Sequence, residues 1–284
     1  MTNASQDNLL SLAQKAQANN DIPQAKQYLL EALRMGHRTD IVCQLCSIYL
    51  KEDQADQAYI LLKEEPDLFS DSEVFKLYLA TLEKMHYFIE FLQLKNLLNK
   101  NIAANVECVD PEKQIKIMQN FQQLKNITQD DYLQLFCLSK GNFVNFAKSL
   151  LFNPSQGFAL RISLCEDLIK LGVDETISVY VLGKQEKFIP SQTELLEKDA
   201  IYREVCVSIA DYLRRDPSKL PLMIGEMNVV LGMLYPKLHK YIQNPDQFAH
   251  DFRHYIDSKN GGVNQDLLEK IYQYLAYEKS NNTF

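Results

Sequence analysis

Apolar residues recur along most of this chain at spacings of three and four, the pattern of amphipathic helices. Leu9, Leu12, Ala13 and Ala16 mark the inner face of a first helix beginning near Gln6. Asn19-Asn20-Asp21 interrupts it, and Asp21 offers a cap for a second helix that tolerates Pro23 in its first turn. Ala25, Leu29 and Ala32 line that second helix, and Gly36 ends it. The pattern then returns 33 residues on: Leu45, Cys46, Tyr49, Ala58 and Leu62 stand where Leu12, Ala13, Ala16, Ala25 and Leu29 stood. A third, looser pair follows, with Phe75, Tyr78, Leu79 and Leu82 on one helix and Phe88, Phe91, Leu94 and Leu98 on the other. Small residues at 13, 25 and 32 let paired helices approach closely, whereas Phe91 in such a place implies a wider crossing.

Beyond the third pair the period is irregular. Asn99 to Pro111 reads as a connector, followed by a helix to Lys125 with Ile115, Met118, Phe121 and Leu124 on one face. Helices are expected at Asp130–Ser139, Phe143–Leu151 and Phe158–Leu171, separated by Lys140-Gly141-Asn142 and Asn153-Pro154. Between about 176 and 189 the period changes to two: Ile177, Val179 and Val181 alternate with Ser178 and Tyr180. This predicts a small β-hairpin turning at Gly183-Lys184-Gln185 and returning through Lys187-Phe188-Ile189. Helices resume from Gln192 to Arg215, from Leu220 through Tyr235 toward Ile242, and over Asp246–Ser258. Gly261-Gly262 breaks the chain before an amphipathic helix at Gln265–Tyr277, and Lys279–Phe284 is expected to fray. The expected fold is mostly α. Residues 1–100 form a repeat domain, and 101–284 an irregular, HEAT-like helical domain with an inserted hairpin, packed on the repeats.

The first hundred residues resemble the tetratricopeptide repeat family, whose period is about 34 residues. The family's characteristic places are held here by Leu9, Leu12, Ala13, Ala16, Ala25, Leu29, Ala32 and His37. Ala16 replaces a usual aromatic and His37 a usual Pro, while in the second repeat Glu65 stands where a second Ala is the rule. The resemblance implies an α-α superhelix whose concave groove holds another protein or peptide. Relatives that grip a terminal carboxylate do so with Lys and Asn at places matching Leu10, Gln14, Cys43 and Ser47, and only Lys76 in the third repeat is basic. Without that clamp, the groove candidates are Gln14, Gln17, Gln44, Ser47, Lys51 and Lys76, with Tyr49 nearby, suited to an uncharged or extended peptide. As a whole, the chain resembles cytoplasmic tetratricopeptide proteins of low-GC Gram-positive bacteria. That likeness rests on Leu151-Phe152-Asn153-Pro154, Gly172-Val173-Asp174, Gly183 and Pro190 in that order, and it implies no activity.

Composition narrows the picture. Apolar residues make up 46% and charged residues 24% of 284, with 9 Gly and 9 Pro, which favours long helices over disorder. A net charge of −7 with scattered Lys and Arg argues against nucleic acid as partner. Apolar runs are too short for a membrane span, and MTNASQDNLL carries no secretory pattern. Six Cys, mostly at helical apolar positions, suit a reducing compartment, and the cytoplasm is expected.

Two motifs raise chemistry. Cys43-x-x-Cys46 has metal or redox spacing, but no second ligand pair follows, and Cys46 takes the small-residue place of Ala13. His250-Asp251-Phe252-Arg253-His254 puts two His one turn apart on a helix, as in the HExxH zinc proteases, with Asp251 in place of the Glu. A third ligand would be Glu269, if the last helix folds back. No G-x-G-x-x-G, G-K-[ST] or nucleophile-elbow sequence occurs, and no cofactor is expected. The leading expectation is a non-enzymatic protein- or peptide-binding scaffold. The alternative is a metal-dependent hydrolase centred on His250 and His254. Degenerate end repeats leave apolar surface that self-association or the Gln265–Tyr277 helix could cover.

Overall fold

A computed structural model of the protein describes residues 2–99 and 102–281. Over them the chain is mostly helical, with one small two-stranded antiparallel sheet. No described helix is long and apolar enough to cross a membrane. The chain divides into two compact units, Met1–Gln122 with Thr128–Lys140, and Gln123–Ile127 with Gly141–Phe284.

The first unit opens with six helices: α1 (Thr2–Ala18), α2 (Ile22–Met35), α3 (Thr39–Lys51), α4 (Ala55–Lys63), α5 (Ser72–Met85) and α6 (Phe88–Leu98). Each packs on the next, and α3 also packs on α5. Ala13, Ala25, Leu29, Ala32, Ile41 and Leu45 are fully buried in one cluster, as the small-residue argument requires. Asp21 caps α2 by accepting from the Gln24 amide, and Asp71 caps α5 by accepting from Glu73 and Val74. Two details depart from the periodic reading. Helix α1 begins four residues earlier than Gln6, and Leu12 is 41% exposed. Gln6 is also buried on α1, and its Nε2 donates to Ala32 O at 2.9 Å and Gly36 O at 2.8 Å. Those are orphan carbonyls at the end of α2, so a polar side chain is better suited there than a leucine.

After residues 102–110, which are irregular, come α7 (Pro111–Gln123), α8 (Gln129–Gln134) and a 3-10 turn at Leu135–Cys137. The Val109 amide donates to Cys137 O, the Gln114 amide group donates to Val109 O and accepts from Ser139 N, and Cys137 Sγ reaches Met85 O. These bonds tie the segment to the helical pairs, and the division between compact units falls near residue 140 rather than near 100, where the repeat period ends. Ile115 and Leu124 are exposed while Phe121 is buried, because only a narrow face of α7 is covered.

The second unit contains α9 (Lys140–Leu151), α10 (Phe158–Lys170), β1 (Ile177–Val181), β2 (Lys184–Phe188), α11 (Ala200–Tyr212), α12 (Leu220–Leu234), α13 (Leu238–Tyr241), α14 (Pro245–Ser258) and α15 (Gln265–Asn281). Lys140-Gly141-Asn142, expected as a separator, is the first turn of α9. The helix expected from Gln192 starts instead at Ala200, because Asp199 caps it by accepting from the Ile201 amide, and 3-10 turns fill the preceding stretch. The last three residues, 282–284, part of the tail expected to fray, lie outside the described residues.

The hairpin pairs Ile177 with Phe188 through to Val181 with Lys184. The turn is therefore Leu182-Gly183, with φ of 47° and 69°, the two positive values of a type I′ turn. Lys184 belongs to β2 rather than to the turn. The hairpin is held on its inner side by Ile177, Val179, Val181 and Phe188, and by Glu186, which is buried. Glu186 accepts from Lys240 at 2.5 Å and lies 3.5 Å from the Tyr241 hydroxyl, both on α13. Arg161 of α10 is also buried. It donates to Tyr180 O on β1 and to Gly232 O and Met233 O in the last turn of α12. A guanidinium fork matches the C-terminal carbonyls and negative dipole end of α12 while fixing β1 beside it.

Candidate functional site

The groove residues expected from sequence lie on α1, α3 and α5. Gln14 and Gln17 are three apart on α1; Gln44, Ser47 and Lys51 run along one stripe of α3; Lys76 is on α5, which packs against α3. Gln14, Lys51 and Lys76 are exposed, and Gln17, Gln44 and Ser47 are half-buried. The Ser47 hydroxyl donates back to Cys43 O at 2.8 Å, so it is committed to its own helix. The side chains of Gln14, Gln44, Lys51 and Lys76 engage no hydrogen bond or ion pair among the described residues. Tyr49 is half-buried and carries the Lys26 ammonium over its ring at 5.6 Å from the centroid. In the same unit a depression of about 430 Å³ runs along α2, lined by Pro23, Lys26, Gln27, Leu30, Glu31 and Arg34.

Cys43 and Cys46 are both buried, 4% and 0% exposed. Burial pushes the Cys43 thiol up to about 11 and the Cys46 thiol up to about 12, away from the thiolate that metal binding or redox exchange needs. Cys46 directs its sulfur at Ala58 O. The pair therefore packs as small apolar side chains, Cys46 against α4.

Two of the departures from the repeat pattern in this unit meet each other. Glu65, in the place of a usual Ala, is buried, and its Oε1 is 2.7 Å from Nε2 of His37, which stands for the usual Pro. A larger buried feature is Glu90 on α6. Its carboxylate accepts from the Tyr59 hydroxyl at 2.7 Å, from the Tyr78 hydroxyl, and from Lys63 Nζ at 2.8 Å. Burial first, and the Glu90 charge second, push the Tyr78 hydroxyl far above its ordinary range, so it stays a donor. Sequence reading overlooked this cluster. The available signal was an acidic residue at a core position within Phe88-Ile89-Glu90-Phe91-Leu92, where periodicity leaves it no route to solvent.

In the second unit, His250 and His254 lie on α14 with ring centroids 4.4 Å apart. Both are exposed, and His250 meets Tyr212 of α11 edge-on at 6.1 Å. Asp251 is turned into the protein and is 2% exposed, with its Oδ1 3.4 Å from His250 Nδ1. Its Oδ1 accepts from Gln247 Nε2 at 2.7 Å, and its Oδ2 accepts from Asn264 N at 3.1 Å and Nδ2 at 2.8 Å. Burial alone would raise the Asp251 carboxyl, but these hydrogen bonds outweigh it and hold it below the usual carboxylate range. The same contacts seat the Gly261-Gly262 turn against α14. Gly262 has a φ of 51°, and a Cβ there would lie 2.6 Å from Asp251 Oδ1. Asp251 is thus an anchor for the turn between α14 and α15, with both oxygens engaged. Helix α15 does fold back on α14, but Glu269 accepts from Gln265 at 2.5 Å, and no three His, Cys, Asp or Glu side chains converge to hold a metal among the described residues.

A second depression, of about 350 Å³, opens beside the hairpin and is lined by Thr176, Lys187, Phe188, Ile189, Thr193 and Lys237, among others. What these surfaces define is an array of helical hairpins with uncommitted polar residues on alternate helices, followed by a helical unit carrying a β-ribbon. Comparison with protein-family models, with curated proteins and with solved structures returns no match for this chain.

Proposed function

We propose that the protein is a non-enzymatic, tetratricopeptide-type scaffold that binds a protein or an extended peptide along the helices α1, α3 and α5. The observation that carries this reading is that Gln14, Gln44, Lys51 and Lys76 present amides and ammonium groups on alternate helices of a packed hairpin array, with no hydrogen-bond or ion-pair partner among the described residues. Each helical pair in such an array contacts its neighbours, leaving a long face free to recognise extended backbone. Amide side chains both donate and accept, as peptide backbone does. The mixed, weakly charged character of these residues favours an uncharged segment over a carboxylate terminus or nucleic acid. We place the protein in the cytoplasm, where buried thiols such as Cys43, Cys46, Cys137 and Cys165 serve as apolar packing groups.

The test is affinity capture from a lysate of the native host, with the full chain and with a Gln44→Ala, Lys51→Glu, Lys76→Glu triple variant. The expected result is a protein enriched by the parent chain and lost with the variant. If nothing is enriched while thermal-shift screening finds a tight small-molecule ligand, the scaffold reading fails.

A further inference from the structure

His250 and His254 do no structural work that their surroundings explain. Both rings are exposed, His250 by 49%, one turn apart on the same face of α14. Their centroids are 4.4 Å apart with the planes tilted by 52°. Two imidazole nitrogens that share one ion at about 2.1 Å each lie ~3 Å apart, a separation that rings this close reach by turning about χ2. The orientation of His250 is biased as well. Its Nδ1 faces Asp251 Oδ1 at 3.4 Å, and its ring edge rests on Tyr212. A carboxylate on Nδ1 selects the tautomer with the proton there and leaves Nε2 as an outward lone pair, the usual outer arrangement around a metal-bound histidine. Asp251 can hold that position because Gln247 and Asn264 fix it in turn.

We propose that His250 and His254 form a surface chelate for a late divalent transition-metal ion such as Ni²⁺ or Zn²⁺, with Asp251 positioning His250 from behind. The protein supplies two nitrogen ligands, and the remaining coordination positions go to water or to a group from another molecule. Imidazole donors suit these ions and not Mg²⁺, which demands oxygen. The site binds without any hydrolytic role, since Asp251 faces inward.

The experiment is calorimetric titration of the untagged full chain, thiols kept reduced, with Ni²⁺, Zn²⁺ and Mg²⁺. One equivalent of Ni²⁺ or Zn²⁺ is expected to bind saturably and Mg²⁺ not to bind. His250→Ala and His254→Ala should each weaken binding at least tenfold, and the double variant should abolish it. Both side chains are exposed, so circular dichroism should show these variants folded. Asp251→Asn should weaken binding by about tenfold or more, a loss that a bystander carboxylate would not produce. Undiminished binding by the double variant, or equal binding of Mg²⁺, would overturn the assignment.

Discussion

Replacing Glu90 by alanine tests whether the buried carboxylate, rather than apolar packing alone, locks α4, α5 and α6 together. Three donors lose their acceptor: the buried Tyr59 and Tyr78 hydroxyls and the Lys63 ammonium. A buried hydroxyl that loses a hydrogen-bond acceptor costs roughly 1–3 kcal/mol. The Lys63 side chain is 45% exposed and turns into water at a cost below about 1 kcal/mol. The total should be about 3–5 kcal/mol, in the range for breaking a buried charged cluster and a large part of the ~5–15 kcal/mol of a whole domain. With 15 Tyr and no Trp in the chain, the natural assays are far-UV circular dichroism in urea and hydrogen exchange of the α4–α6 amides. A variant combining Glu90→Leu with Tyr59→Phe and Tyr78→Phe removes donors and acceptor together and should recover most of the loss. If Glu90→Ala costs less than about 1 kcal/mol, or the triple variant is as unstable as the single one, the network argument is wrong.

Other expectations concern groups elsewhere. Asp251 titrates below its unfolded value, so its stabilisation is fully present above about pH 4 and is lost as the pH falls through the depressed native value. Asp251→Asn should flatten the acid limb of a stability–pH curve, and an unchanged limb would refute the anchoring role. Labelling of the native protein with a thiol reagent at pH 8 should modify the half-buried Cys108 and Cys206 first. Cys43, Cys46 and Cys137, with thiols raised by burial to about 11, 12 and 11, should react only on unfolding, and mass mapping that finds Cys46 labelled early would contradict that. Arg161→Leu removes the guanidinium donor from the carbonyls of Tyr180, Gly232 and Met233, so a loss of about 3 kcal/mol or more is expected in urea unfolding. Full stability would show that the guanidinium fork is dispensable.

The sequence by itself determined the helical class, the first three helix pairs and the hairpin, because each follows from local periodicity and capping. Apolar spacing of three and four places α1 to α6, Asp21 accepts from the amide at the N-terminus of α2, and the alternation from Ile177 to Val181 marks β1. What only the tertiary structure decided are the polar residues that the core admits. Gln6 is buried on α1 because the end of α2 brings unpaired carbonyls to it, while Leu12 of the periodic pattern is 41% exposed. Glu65 finds His37, and Glu90 finds Tyr59, Tyr78 and Lys63, each across 12 to 31 residues of chain. For the histidine pair, spacing alone put His250 and His254 on one face, but the fold turned Asp251 inward to hold the Gly261-Gly262 turn. Periodicity reports which side of a helix is covered; it carries no record of which distant donor or acceptor does the covering.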